Sequence, residues 1–161
     1  MDRSHILSVL VENRFGVLSK VSGLFASRGY NIKSLSVGET EDPTISRMTI
    51  LVEGDDKIIE QVKKQLNKMI DTVKVIDFVG KKSIDKELCF LKINTKGKEK
   101  SEILTIASIF KSEVIDIGTR SLTLQICAQT DKINDFLKLL QPFGILEISR
   151  SGVVAISDDE K

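Results

Sequence analysis

The sequence predicts an α+β protein made of two ferredoxin-like βαββαβ sandwiches in tandem. The order strand, helix, strand, strand, helix, strand runs through residues 1–79 and starts again in residues 80–161. Apolar residues alternate in the strand segments and recur at helical spacing in the helical ones. The halves also share a weak echo, because "VSGLFASRGYNI" lies over "IASIFKSEVIDI" at an offset of 85 residues. Together these three observations indicate an internal repeat.

The first half opens on the apolar run "HILSVLVE", which predicts a buried strand. A helix with one apolar face follows, and Gly29 stands where a C-cap glycine is expected. Asp55 or Asp56 is a suitable N-cap for the second helix. The predicted elements are strands over residues 5–12, 31–41, 45–54 and 72–78, and helices over residues 15–28 and 57–70.

The polar linker "VGKKSIDK" joins the halves, and the element order then repeats. Asp131 is predicted to cap the last helix, which Pro142 and Gly144 end. The predicted elements are strands over residues 87–93, 113–118, 121–129 and 145–156, and helices over residues 99–111 and 131–140.

Each sandwich places both helices on one face of a four-stranded antiparallel sheet. The other face needs a partner or must be polar, and the exposed strand edges need protection. We therefore expect the sheets to pair edge to edge or face to face, and the chain to form a homodimer.

Composition argues against several kinds of partner. The formal net charge is +1, and no basic excess indicates a phosphate backbone. The central strands carry no aromatic residues for base stacking, so a nucleic-acid partner is not expected. The N-terminal apolar stretch "ILSVLV" is too short for a signal peptide or a membrane span. The sequence thus predicts a soluble, cytoplasmic protein.

Catalytic and metal-binding patterns do not stand out in the sequence. Cys89 and Cys127 are far apart and flanked by apolar residues, and His5 is the lone histidine, so we predict two buried free thiols and no metal site. Asn13 and Arg14 match only part of an acylphosphatase-like anion loop. With no Ser/His/Asp set, paired carboxylates or phosphate-binding glycine motif, catalysis by this chain is not expected.

The stretch "ENRFGVLS" instead suggests a binding site. Gly16 begins the first helix, where unpaired backbone N–H groups and the helix dipole attract an anion and a missing Cβ allows close approach. The amides of Asn13 and Asn31 could bind the ammonium group of an amino acid. Alternatively, Gly16 only relieves a tight turn and Asn31 only follows a cap, which is the commoner situation. The candidate residues, with an apolar wall, are Asn13, Gly16, Val17, Leu18, Asn31 and Ile32.

These residues lie in a stretch with a family resemblance. "GLFASRGYNIKSLSVG" followed by "SRMTI" resembles the opening of the small, regulatory subunit of acetohydroxyacid synthase (acetolactate synthase), and "SRSGVVAIS" resembles its C-terminal domain. The resemblance covers nearly the whole chain. It implies that residues 1–79 form an ACT domain, an amino-acid-sensing version of the sandwich, and that residues 80–161 form the C-terminal domain of the small-subunit type.

The resemblance also implies a function in the biosynthesis of valine, leucine and isoleucine. Two ACT domains would pair side by side into one sheet and bind valine at their interface. The subunit would activate a separate catalytic subunit and confer feedback inhibition on it. Thiamine diphosphate, Mg²⁺ and FAD would belong to that catalytic subunit, and this chain would bind no cofactor.

By the same resemblance, Asn13, Gly16 and Asn31 match effector-contacting positions that Val17, Leu18 and Ile32 flank. Gly38 matches a small residue that faces the effector across the pairing, although an alanine is usual there. Arg14 and Phe15 also depart from the family pattern, which has an acidic and a small residue. These departures bear on affinity and on the choice of branched-chain effector.

The second half does not repeat the candidate site. The offset of 85 residues aligns Ser101 with Gly16 and Asp116 with Asn31. The carboxylate of Asp116 would repel the carboxylate of the effector. We expect this half to contact the catalytic subunit or a second copy. Two alternatives to the regulatory function are a free-standing amino-acid sensor acting on another partner and an enzyme in its own right.

Overall fold

The computed structural model describes residues 3–95 and 99–158. By packing, these residues divide into two units. The first comprises residues 3–85 and 152–158, and the second comprises the described part of residues 86–151. The predicted α+β class and the repeated βαββαβ order are confirmed.

The first unit contains one antiparallel sheet in the order β2-β3-β1-β4. Its two helices follow β1 and β3, as the sequence predicts. The elements are β1 (Arg3–Glu12), α1 (Val17–Ser27), β2 (Ile32–Glu39), β3 (Ile45–Gly54), α2 (Asp56–Lys68) and β4 (Thr72–Asp77).

The core of the first unit lies between the sheet and its helices. Alternate residues of the two central strands face the helices, and Leu7 pairs with Ile50 and Val9 with Met48 across them. Burying each such side chain stabilises the unit by roughly 1.5–3 kcal/mol. The core residues are Leu7, Val9, Val11, Val17, Val21, Phe25, Met48, Ile50, Val52, Ile59, Val62 and Leu66.

Two helix caps predicted for the first unit, Gly29 after α1 and Asp55 before α2, are confirmed. The Gly29 N–H donates to the Ala26 carbonyl at 3.1 Å and the Tyr30 N–H to the Phe25 carbonyl at 3.0 Å, a Schellman motif. Asp55 caps α2, because its carboxylate accepts from the Lys57 N–H at 2.9 Å. Both caps satisfy backbone groups that a helix end leaves unpaired.

The second unit is built on a sheet in the order β6-β7-β5-β8, and a short final strand also pairs with β5. Its core residues include Leu91, Ile93, Ile103, Leu124 and Phe136. The elements are β5 (Ser83–Asn94), α3 (Lys100–Ile109), β6 (Glu113–Ile117), β7 (Ser121–Ala128), α4 (Thr130–Leu140) and β8 (Ile145–Arg150). The final strand, β9 (Val154–Ser157), belongs by packing to the first unit.

Two predicted strand boundaries are wrong. Strand β5 begins at Ser83, inside the stretch predicted as a linker. Next to it, the Asp158 N–H donates to the Lys82 carbonyl at 3.2 Å, a pairing that local sequence does not reveal. The predicted strand over residues 145–156 is broken, because Gly152 has a left-handed φ of 79° between β8 and β9.

Two further predictions in the second half are wrong. Asp131 does not cap α4, which begins at Thr130 after an N-cap Gln129 without a capping side-chain bond. Cys127 is exposed rather than buried. It alternates with the buried Ile126 and Ala128, so its side chain takes the other face of β7. Cys89 is buried as predicted, and burial raises the pKa of its thiol.

A buried ion pair joins three elements of the second unit. The Glu87 side chain is 4% exposed and accepts from Arg150 Nε at 2.7 Å and Arg150 Nη2 at 2.8 Å. The hydroxyl of Thr130 also donates to Glu87, and Arg150 Nη1 donates to Asn134. The bidentate contact with Glu87 raises the pKa of Arg150.

We predict that Arg150→Met lowers the free energy of unfolding by about 2–4 kcal/mol, because a buried carboxylate is left without its counter-ion. Chemical denaturation followed by circular dichroism measures this change. The control is Glu147→Gln, which removes the exposed pair with Lys92 and should change stability by less than about 1 kcal/mol. Equal effects of both changes would contradict the prediction.

The face of the first sheet that carries no helix is partly covered by a later segment of the same chain. Ser8, Thr49 and Ser36 lie side by side on it across three strands. Residues 152–157, which we name the return segment, lie on this unit; Val153 and Ala155 are buried, and β9 contacts β1. The sequence predicts that this face needs a partner or is polar. The structure shows a further possibility, because a segment of the same chain packs on this face.

No helix in the described part of the chain has both the length and the apolar composition to cross a membrane.

Candidate functional site

The loop after β1 is tied to the β2–β3 turn. The Asn13 N–H donates to the Thr44 carbonyl at 2.7 Å. The side-chain Nδ2 of Asn13 donates to Glu39 Oε1 at 3.0 Å and to the Pro43 carbonyl at 2.9 Å. Asn13 therefore fixes the loop and directs its amide nitrogen toward the protein, so a ligand would meet its amide oxygen.

The turn itself is held by a local hydrogen-bond pattern. Asp42 Oδ1 accepts from the Thr44 N–H at 2.9 Å and from the Thr44 hydroxyl at 2.7 Å. These bonds lower the pKa of Asp42. An Asx turn of this kind presents the Pro43 and Thr44 carbonyls to Asn13.

Gly16 is the N-cap of α1, as predicted. Its φ of 81° is left-handed, and a Cβ there would meet nothing within 4 Å. The Val17 N–H donates to the Arg14 carbonyl at 3.3 Å, so this backbone donor of the first turn is already used. Within the described residues, no hydrogen bond uses the N–H of Gly16 or Leu18. An open helix N-terminus with two such donors suits a carboxylate.

The predicted apolar wall is divided by the structure. Val17 is 2% exposed and belongs to the core, so it can serve a ligand only through its backbone. Leu18 is 45% exposed, and Ile32 is half-buried against the core. Next to them, Phe15 exposes its whole ring, and Arg14 pairs with Glu12 at 2.9 Å.

Strand β2 is an edge of the sheet, since among the described strands it pairs only with β3. Asn31 and Ile32 stand at its start, and Gly38 stands near its end. Six residues of a strand span about 20 Å. Gly38 precedes Glu39, which contacts Asn13, so Gly38 lies at the same end of the sheet as the β1–α1 loop.

The seven candidate residues therefore form two groups in one copy of the chain. The loop group comprises Asn13, Gly16, Val17, Leu18 and Gly38. The strand-start group comprises Asn31 and Ile32. The structure brings the loop group together at one end of β2 and leaves the strand-start group at the other.

Sequence reasoning missed Glu39. Its carboxylate lies 3.0 Å from Asn13 Nδ2, is exposed and adds a negative charge beside the loop group. The available signal was its position next to Gly38 at the end of an edge strand.

The corresponding corner of the second unit is chemically different. Glu99, an acidic residue, is the N-cap of α3, and Ser101 lies within the first turn of that helix. Asp116 is exposed on β6, the strand equivalent to β2. Neither a left-handed glycine nor an amide occupies these positions.

Two family models match the chain. The model described as the AHAS small subunit-like ACT domain matches residues 7–74. The model described as the small subunit of acetolactate synthase matches residues 86–159.

Named relatives are similar over most of the chain. A probable acetolactate synthase small subunit of Methanothermobacter thermautotrophicus is 44% identical over 155 residues, which cover 96% of this chain and 92% of that one. The acetolactate synthase small subunit of Aquifex aeolicus is 46% identical over 155 residues, which cover 96% and 81%. The crystal structure of the acetolactate synthase small subunit from Thermotoga maritima aligns with a TM-score of 0.89, at 37% identity and with 99% of both chains covered.

Proposed function

Because the chain belongs to the family of acetolactate synthase small subunits, we propose that it binds valine at an interface between two copies and thereby regulates a catalytic subunit. In this proposal the chain activates the catalytic subunit and confers feedback inhibition in branched-chain amino-acid biosynthesis. In the same proposal, catalysis belongs to the catalytic subunit and this chain contributes no catalytic residue.

The separation of the two residue groups along β2 is the observation that carries this proposal. If two copies pair their β2 edges antiparallel about a two-fold axis, each residue of one strand faces its counterpart from the other end. A pairing centred on Leu35 would set Ile32 of one copy opposite Gly38 of the other. The loop group of each copy would then meet the strand-start group of its partner, and two complete sites would form.

The chemistry of such a site suits a zwitterion with an aliphatic side chain. The N–H groups of Gly16 and Leu18 would bind the carboxylate. The amide oxygens of Asn13 and Asn31 and the carboxylate of Glu39 would bind the ammonium. Charge-assisted hydrogen bonds contribute roughly 1.5–3 kcal/mol each. Discrimination against leucine and isoleucine should be modest, because one methylene is worth only about 1–3 kcal/mol.

Regulation requires that valine stabilises one arrangement of the subunits over another. A coupling free energy of about 1–3 kcal/mol between valine and the catalytic subunit is enough for clear feedback. The thiamine diphosphate, Mg²⁺ and FAD of the reaction are expected on the catalytic subunit, and we expect the assembly in the cytoplasm.

Reconstitution with the cognate catalytic subunit tests the proposal. Acetolactate formation should rise on mixing and fall when valine is added. A chain that binds valine without changing this activity would instead be a free-standing sensor with another partner. Acetolactate formation by the chain alone would show it to be an enzyme.

A further inference from the structure

The return segment meets β2 through a contact at Gly152 that leaves little room for a side chain. A Cβ on Gly152 would lie 3.1 Å from Ser34 Cβ and 3.1 Å from Ser36 Oγ, and 3.5 Å from the Leu35 nitrogen. The φ of 79° at Gly152 also disfavours any side chain. Beside this contact, the Val153 N–H donates to Ser34 Oγ at 3.4 Å. The chain therefore lies directly on the backbone of β2 at residues 34–36.

This contact lies in the middle of strand β2. Ser34 and Ser36 stand between Ile32 and Gly38, which the proposed site places at its two halves. Strand β2 is held by β3 on one side only, with a register shift between Ile32 and Ser34. The return segment is thus a second support for an edge strand that is otherwise paired once.

The return segment is also the direct continuation of the second unit, whose last residue is Ser151. Within it, Val153 and Ala155 are buried on either side of the exposed Val154. The residue that contacts β2 at residues 34–36 is therefore the next one along the chain after the second unit.

We infer that the return segment contributes to the affinity of the chain for its effector. Through Gly152 it positions β2 for effector binding, so that Gly152, Ser34 and Ser36 are positioning residues that do not touch the effector themselves. That valine is the ligand rests on the proposed function. That the return segment positions β2 rests on the packing alone.

The test compares Gly152→Ala with Gly80→Ala in the full-length chain. Gly80 has a similar φ of 71°, but a Cβ there would meet nothing within 4 Å, so this control carries the backbone strain without the clash. We expect Gly152→Ala to raise the dissociation constant for valine about fivefold or more in calorimetry. Gly80→Ala should leave it within about twofold. Adding Ser36→Ala to Gly152→Ala should restore part of the affinity, because the Oγ contact is removed.

Amide hydrogen exchange provides a second readout that needs no ligand. Exchange of the β2 amides should be about tenfold faster or more in Gly152→Ala and unchanged in Gly80→Ala. Unchanged exchange and unchanged valine affinity in Gly152→Ala would overturn the inference, as would equal losses in both variants. If the wild-type chain binds no valine, the proposed function fails, and the exchange experiment alone decides whether the return segment positions β2.

Discussion

Gly16→Asp is expected to abolish most valine binding, with a rise of about 10- to 100-fold in the dissociation constant. The new carboxylate would stand at the N-terminus of α1, where the proposed site binds the carboxylate of valine. Space is not the limit, because a Cβ at Gly16 meets nothing within 4 Å. Repulsion and the loss of charge-assisted hydrogen bonds account for the effect. Calorimetry on the isolated chain measures it.

Gly80→Asp is the matched control for this experiment. Gly80 also has a left-handed φ and open surroundings, and aspartate tolerates that conformation better than most residues. The control should bind valine with an affinity close to that of the wild type. Normal valine binding by Gly16→Asp would remove the helix N-terminus from the site.

Mixed dimers are expected to regain binding that each parent variant lacks. Gly16→Asp damages the loop group, and Asn31→Ala, which removes the amide oxygen proposed to bind the ammonium, damages the strand-start group. In a dimer with one chain of each kind, one site would carry both changes and the other would carry neither. With random exchange, about a quarter of all sites should then bind valine with wild-type affinity, because the two-fold axis builds each site from both chains.

The control for this experiment mixes Gly16→Asp with Asn13→Ala, which removes both the amide oxygen and the loop-fixing amide nitrogen. Both changes lie in the loop group, so every site in a mixed dimer contains one of them and binding should not return. Titration calorimetry after refolding the chains together gives the number of sites. No recovery in the first mixture would show that one chain builds the site alone, or that the copies do not pair through β2.

The sequence predicted the fold well because the repeated element order and apolar periodicity are local signals. Gly29 and Asp55 were assigned correctly, since a C-cap glycine and an N-cap aspartate act within one turn of the helix. The early start of β5 and the break at Gly152 were missed, because both depend on pairing between residues far apart in the chain.

The candidate site was predicted less completely than the fold. Spacing identified Gly16, whose left-handed backbone the structure shows. It could not show that Val17 points into the core. It also could not show that the amide nitrogen of Asn13 donates to Glu39 and to the Pro43 carbonyl. Nor could it separate the candidates into two groups along β2, because that requires the strand order. Their roles in valine binding stay a prediction.

The return segment also determines when the first unit is completed on the ribosome. Strand β4 ends at Asp77, but the chain that covers the other face of the sheet is made about 80 residues later. At about 5–20 residues per second, this interval lasts about 4–16 s. Throughout it, that face of the nascent sheet stays uncovered, with Ile6, Leu10 and Leu51 exposed beside the polar Ser8, Ser36 and Thr49. The apolar side chains of that face are thus exposed to water, and open to contact with other nascent chains, until the return segment is made.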